Sequence, residues 1–160
     1  MNIAFESENI LYVQLSEALL GDYLAMVNDI ERVARFIGRR RTPYSKEEEL
    51  AFIRGKLDER APIFSMLEKK SGAFIGNIEL MDIHDGTGEL GIAITALMQD
   101  RGYGAEGIAR IVEYGFNALG LSRVLLKVYP DNAKAIHVYE KCGFREFDRT
   151  AEDVFMDITR

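Results

Sequence analysis

The stretch Gln99-Asp100-Arg101-Gly102-Tyr103-Gly104 has the residue types of an anion-holding loop. Gly102 and Gly104 carry no Cβ, so the backbone can approach a bulky charged group and take φ > 0 without steric cost. Directly after it, Ile108, Ile111, Val112, Gly115, Phe116 and Leu119 recur at helical spacing. A helix starting at the loop aims its first unpaired N–H groups and the positive end of its dipole at one point. Phosphate suits that chemistry, with Gln99 or Arg101 as extra side-chain donors. Alone, a Gln/Arg-x-x-Gly-x-Gly/Ala pattern arises by chance in about one chain in seven of this length, so a glycine-rich helix start without a ligand is the competing reading. A Walker loop needs Gly-Lys-Ser/Thr, which is missing. Gly102 to Gly107 do spell Gly-x-Gly-x-x-Gly, but a meander precedes them and no acid ends the next strand, at residues 123–129, as a dinucleotide site requires.

A second pattern lies downstream, in Asn132-Ala133-Lys134-Ala135-Ile136-His137-Val138-Tyr139-Glu140-Lys141-Cys142-Gly143-Phe144. If helical, Asn132 and Tyr139 share a face about 10 Å apart along the axis. Tyr139 holds a transferable proton, with a phenol pKa of about 10 in model compounds; the alternative is an aromatic packed beside Ile136 and Gly143. His84 and His137 are not at metal-ligand spacing with Cys142 or any carboxylate cluster, so no metal site is expected. Cys142 reads as a small apolar residue at a helix end.

Both patterns need elements to position them. Residues 9–15 alternate as a strand, and a helical pattern from Ser16 places Leu19, Leu20, Tyr23, Leu24 and Val27 on one face. Residues 30–37 form a second short helical segment before Gly38, and Ser45-Lys46-Glu47-Glu48 opens a third with a capping box. Strand patterns follow at 63–68, 73–81 and 89–95, separated by turns at Lys70-Ser71-Gly72 and Asp85-Gly86-Thr87-Gly88. After the glycine loop come the long helix closed by Gly120, a strand at 123–129, the helix at 132–142, and strands at 144–147 and 154–158. The order β, α, α, α, β, β, β, α, β, α, β, β predicts an α/β (α+β) fold with a sheet of mixed direction. No linker or internal repeat divides it, so residues 1–160 read as one domain.

A chain of 160 residues with 48% hydrophobic and 29% charged residues can bury a full core. Its net charge of −6 argues against general nucleic-acid or anionic-membrane binding and suits an amine partner. The run Arg39-Arg40-Arg41 beside a Thr-Pro turn reads as a solvated loop. One cysteine excludes an intrachain disulfide, and an acidic start with no long apolar run indicates neither export nor a membrane anchor, so a cytoplasmic location is expected.

The combination of the glycine loop, a helix, a strand and the Asn132 to Phe144 helix resembles the GNAT superfamily of N-acetyltransferases, most closely over residues 89–147 and in the subgroup acting on ribosomal-protein N-termini and spermidine. The resemblance implies a mixed, splayed sheet of six to seven strands flanked by helices. It implies acetyl-CoA as acetyl donor, wedged between the strands at 89–95 and 123–129. Its pantetheine arm would pair with Ile92, Ala93 and Ile94, its pyrophosphate would lie on Gln99, Asp100, Arg101, Gly102, Tyr103, Gly104 and Ala105, and Asn132 would sit near the pantetheine. Tyr139 corresponds to the tyrosine that often protonates the departing thiolate.

A base must also take a proton from the acceptor amine. Some N-terminal acetyltransferases of the superfamily place a glutamate five residues before the motif asparagine; here that position is Lys127. Glu89 matches an acid common in the subgroup, and Glu79 resembles a substrate-side acid on the neighbouring strand of the spermidine enzymes. Alternation puts Glu89, Gly91 and Ala93 on one strand face and Leu90, Ile92 and Ile94 on the other. The expected activity is acetyl transfer by direct attack of a primary amine, either a protein N-terminus, a polyamine or another small amine. Asp100 is an unfavourable neighbour for pyrophosphate unless it points away or is paired. The competing function is a catalytically silent acyl-CoA-binding regulator, and the chain is expected as a monomer or a homodimer.

Overall fold

The computed structural model describes residues 1–38 and 40–160. Its framework is an eight-stranded sheet in the order β1-β2-β3-β4-β5-β6-β8-β7. The strands are β1 (Ile3–Glu6), β2 (Ile10–Gln14), β3 (Ile63–Glu68), β4 (Phe74–His84), β5 (Thr87–Ile94), β6 (Arg123–Val128), β7 (Arg145–Arg149) and β8 (Val154–Thr159). Every neighbouring pair runs antiparallel except β5 and β6, which are parallel. That one exception follows from connectivity: α4 (Tyr103–Asn117) is the crossover helix between the two strands.

The helices divide between the two faces of the sheet. Ile108, Ile111 and Val112 of α4 pack in one apolar cluster with Ile78, Leu80, Leu90, Val124 and Leu126, joined at its edge by Ile92, Ile94 and Tyr139 of α5 (Ala133–Lys141). The opposite face carries α1 (Leu20–Val27), α2 (Arg35–Ile37) and α3 (Lys46–Asp58), whose cluster includes Tyr23, Met26, Val33 and Ile53 with Ala93 of β5 against it. Leu90, Ile92 and Ile94 therefore face α4, and Ala93 faces the α1–α3 lobe, as strand alternation predicts. Ser45 and Glu48 close the expected capping box at the start of α3. Among the described residues no helix is long and apolar enough to cross a membrane.

The sheet has one strand more than the six to seven expected. The addition is β1, whose inward content is little more than Phe5, stacked between Tyr12 and Tyr114 at 4.6 and 4.8 Å with Arg110 over its ring. Ile3 beside it is 56% exposed, so no alternating pattern advertised the strand. The β4–β5 turn is also tighter than expected. Asp85 and Gly86 alone make it, with φ of 50° and 74° that suit a two-residue hairpin turn, and Thr87 and Gly88 already belong to β5. Residues 30–37 form a five-residue π-helical turn followed by α2 instead of one helix.

Gly76 governs how closely β4 approaches β5: a Cβ there would lie 2.0 Å from the Ala93 carbonyl oxygen, a backbone atom that cannot swing aside. Gly76→Ala is expected to destabilise the protein by about 3 kcal/mol, a fall in melting temperature of about 6–12 °C. A melting temperature within about 2 °C of wild type in a calorimetric scan would contradict this account of the strand contact.

Candidate active site

The parallel pairing of β5 with β6 spans only Thr87↔Arg123, Gly88↔Val124 and Glu89↔Leu125. Beyond Glu89 the strands part, and a cleft of about 970 Å³ opens, lined by β5 on one wall and by Lys127, Val128, Tyr129 and the start of α5 on the other. The Thr95 N–H donates to the Ile75 carbonyl at 2.9 Å, so in an antiparallel ladder the backbone groups of Ala93 also turn toward β4 and those of Ile92 and Ile94 turn away from it, to the cleft. Of the three β5 residues expected to offer backbone hydrogen bonds, Ile92 and Ile94 are placed to do so and Ala93 is not. The Ile94 carbonyl is already taken by the Gln99 side-chain amide at 3.0 Å.

The glycine loop closes one end of this cleft. Gly102, at φ 86°, is the N-cap of α4 and supplies no side-chain cap, while the first intrahelical bond is from the Glu106 N–H to the Gly102 carbonyl at 3.2 Å. The N–H groups of Tyr103, Gly104 and Ala105 are thus the orphan donors of a fifteen-residue helix, and a Cβ built on Gly104 would meet nothing within 4 Å. These are the properties of a cradle open to an anion.

The side chains of the loop do other work than the sequence suggested. Gln99 is no phosphate donor: its Nε2 also donates to the Arg32 carbonyl at 3.0 Å, tying the loop to both β5 and the turn before α2. Arg101 is exposed and does not line the cleft, and Tyr103 turns its phenol out of the cleft to donate to Glu68. That hydrogen bond raises the Tyr103 phenol above its ordinary range and lowers the Glu68 carboxyl. Asp100, at φ 63°, is ion-paired with Lys134 of α5, which bridges the two sides of the cleft mouth.

Asn132 caps α5 and is not within it: its Oδ1 accepts from the Ala135 N–H at 3.2 Å, which leaves its NH₂ unengaged among the described residues. Tyr139 lies on the inner face of α5 and lines the cleft, its ring 6.0 Å from that of Phe144. Burial, with a smaller contribution from Cys142, pushes its phenol up to about 12. The Cys142 thiol points at the Ala105 carbonyl, 3.7 Å away, which links the end of α5 to the first turn of α4. His84 binds the Asp82 carbonyl in the β4–β5 hairpin at 2.8 Å, and among the described residues no cluster of potential metal ligands occurs.

Of the two strand glutamates, Glu89 lines the cleft and Glu79 does not. Glu79 shares the sheet face of Gly91 but is ion-paired with Lys56 of α3 at 3.2 Å. Six further lining residues had no sequence signal: Arg32, Val33, Arg35, Phe36, Ile37 and Gly38, from the lobe that covers the Glu89 face. Arg40 is engaged instead by Glu48 through two hydrogen bonds, which help hold that carboxyl down to about 2, and Arg41 binds backbone carbonyls; Arg39 lies outside the described residues.

An open parallel pair flanked by a helix N-terminus and a tyrosine-bearing helix is the arrangement of an acyl-CoA-dependent transferase. Residues 9–145 match the family model for the acetyltransferase (GNAT) domain. The chain belongs to that family and is an acetyl-CoA-dependent N-acetyltransferase. It is 31% identical over 118 residues to the spermidine N(1)-acetyltransferase of Vibrio cholerae, a match covering 72% of this chain and 68% of that protein. In fold it superposes on the crystal structure of the V. cholerae spermidine N-acetyltransferase in complex with CoA and spermine, with a TM-score of 0.85, 23% identity and 96% of both chains covered. A GNAT-family acetyltransferase from Bacillus anthracis gives a TM-score of 0.84 at 19% identity, covering 99% of this chain and 98% of that one.

The Asp100–Lys134 pair places a carboxylate in the glycine loop and engages the ammonium of a lysine that also lines the cleft. Asp100→Asn keeps a residue that tolerates positive φ while freeing Lys134, and is expected to tighten acetyl-CoA binding about threefold or more by isothermal titration. A weaker affinity would show that the ion pair, and not its release, shapes the site.

Proposed function

We propose that the cleft between β5 and β6 binds acetyl-CoA with its pyrophosphate on the N–H groups of Tyr103, Gly104 and Ala105, and that Glu89 and Tyr139 carry the transfer of its acetyl group to a primary amine. The observation that supports this most is the juxtaposition in one cleft of the uncapped α4 N-terminus, the unpaired β5 edge, a carboxylate and a half-buried phenol. Acetyl-CoA supplies the acyl group as an activated thioester. Ile92 and Ile94 offer backbone N–H groups along the open edge, and the NH₂ of Asn132 faces the same space from the cap of α5.

An alkyl amine is mostly protonated near neutrality. Glu89 takes that proton, directly or through water, so that the nitrogen lone pair can form the new C–N bond as the C–S bond breaks. Tyr139 is the only group proposed for the sulfur. Burial pushes its phenol up to about 12, so it stays protonated near neutrality. Tyr139 donates a hydrogen bond to the sulfur as the C–S bond breaks and passes its proton to the departing thiolate, and solvent restores the phenol. Amine acceptors find support in the V. cholerae relative, which is a spermidine enzyme. A cytoplasmic setting, where Cys142 stays a thiol, is part of the same reading.

Tyr139→Phe is expected to lower kcat about 10- to 100-fold while acetyl-CoA affinity by titration stays within about twofold. Unchanged turnover would remove the phenol from the mechanism. Glu89→Gln is expected to lose activity at neutral pH and to recover it toward about pH 10, where the free amine no longer needs a base; a flat loss across that range would assign Glu89 a structural role. Acetyl-CoA binding without thiol release from any amine would instead indicate a silent regulator.

A further inference from the structure

Resting on that reading, we infer that the acceptor half of the cleft is an anion subsite, and that the acceptor is a primary amine that also bears a carboxylate, of the amino-acid type. Glu89 marks the place where the amine nitrogen must arrive. On the face covered by the α1–α3 lobe, the same cleft is lined by three cations: Lys127 near Glu89 on the facing strand, and Arg32 and Arg35 on the turn tied to the Ile94 end of β5. Lys127 projects from the same face of β6 as Leu125, the register partner of Glu89, and lies two residues further along, about 7 Å. Among the described residues neither Lys127 nor Arg35 has an ion-pair partner; Arg35 is held only by stacking on Phe36, 4.3 Å from the ring centroid. Arg32 shares its guanidinium with Asp29 at 2.9 Å and retains further N–H groups.

The lobe that carries the two arginines is fixed to the cleft and does not merely drape over it. Gln99 binds the Arg32 carbonyl and the Ile94 carbonyl with one amide nitrogen, so the arginine-bearing turn is tied to the end of β5. Phe36, Ile37 and Met81 line the same cleft. The other cleft acids do not alter this balance at Glu89. Asp100 is neutralised by Lys134, and Asp131 and Asp153 lie beyond the C-terminal end of β6, past Val128 and its partner Val154. An extended polycation would thus meet the Glu89 carboxylate in a cleft that also carries two cations without an ion-pair partner among the described residues, Arg35 and Lys127. An amine with a carboxylate a few ångströms away satisfies both signs at once, with charge-assisted hydrogen bonds to Lys127 or a forked pair with Arg35.

The test is a thiol-release assay with acetyl-CoA on the common L-amino acids and an acidic dipeptide, each paired with its C-terminal carboxamide, and on spermidine. At least one carboxylate-bearing amine should exceed its carboxamide and spermidine in kcat/KM by about tenfold or more. Free amino acid and dipeptide are separated by which of them turns over. Arg35→Ala and Lys127→Ala should each raise its KM about tenfold with little change in kcat, and Lys127→Glu should reverse the preference toward spermidine. Equal use of carboxamides, better use of spermidine, or unchanged KM in both alanine variants would overturn the inference. Titration of the CoA-saturated protein with the same matched pairs separates the two readings. A preference for the carboxylate that Lys127→Ala abolishes supports the subsite even without turnover, and no preference sinks it even if acetyl transfer is observed.

Discussion

The structure depends on a parallel strand pair that is allowed to form only at one end. Three register pairs hold β5 to β6, and past Glu89 the backbone groups of β5 that face β6 have no strand to meet. A polar backbone edge inside a protein must be answered by something, because an unpaired buried N–H or C=O costs on the order of 1–3 kcal/mol. Here the Gln99 side chain satisfies one such carbonyl and the remainder opens on the cleft. The rest of the architecture keeps the gap open. The α4 crossover packs under it through Ile108 and Ile111, and β8 completes β6 from the far side over six register pairs, so β6 has no need of a longer partnership with β5.

That gap sorts the chemistry by face. Side chains of β5 at Ile92 and Ile94 go to the α4 side, where the helix N-terminus waits and Tyr139 sits half-buried against Phe144. The intervening positions, with Glu89 among them, go to the lobe of α1 to α3. A donor and an acceptor can therefore approach from opposite sides of one strand, with the reacting atoms meeting at its edge. Single contacts tie these parts together: Gln99 joins the glycine loop to the turn bearing Arg32 on the opposite face, while on the α4 side Cys142 touches the first turn of α4 and Lys134 reaches Asp100 across the mouth.

Much of this was legible in the residues. The glycine positions at 102 and 104, the capping residue Ser45, the α4 apolar repeat and the Asn132 to Phe144 pattern all act through neighbours within a few residues, and local geometry is what a sequence encodes most directly. Two departures share one cause. Gln99 was read as a side-chain donor to a ligand when the Arg32 carbonyl occupies it, and Glu79 as a substrate acid when Lys56 holds it, so in both a partner more than twenty residues away decided the role. Asn132 was read as part of the helix it caps, a matter of one residue at a helix end, settled by its bond to the Ala135 N–H.

The sequence by itself therefore determined most of the elements, where the glycine-led start of α4 lies and to which family the chain belongs, because helix caps, glycine conformations and apolar periodicities are properties of contiguous residues. Only the tertiary structure decided how far β5 and β6 pair, which glutamate enters the cleft, and that Arg32, Arg35 and Lys127 line the same cleft. Those facts depend on the turn before α2 and β6 both meeting the cleft at β5, segments separated by roughly ninety residues of chain. No local pattern records such a meeting, since an arginine on a three-residue helix looks the same in sequence whether it faces solvent or a reacting amine.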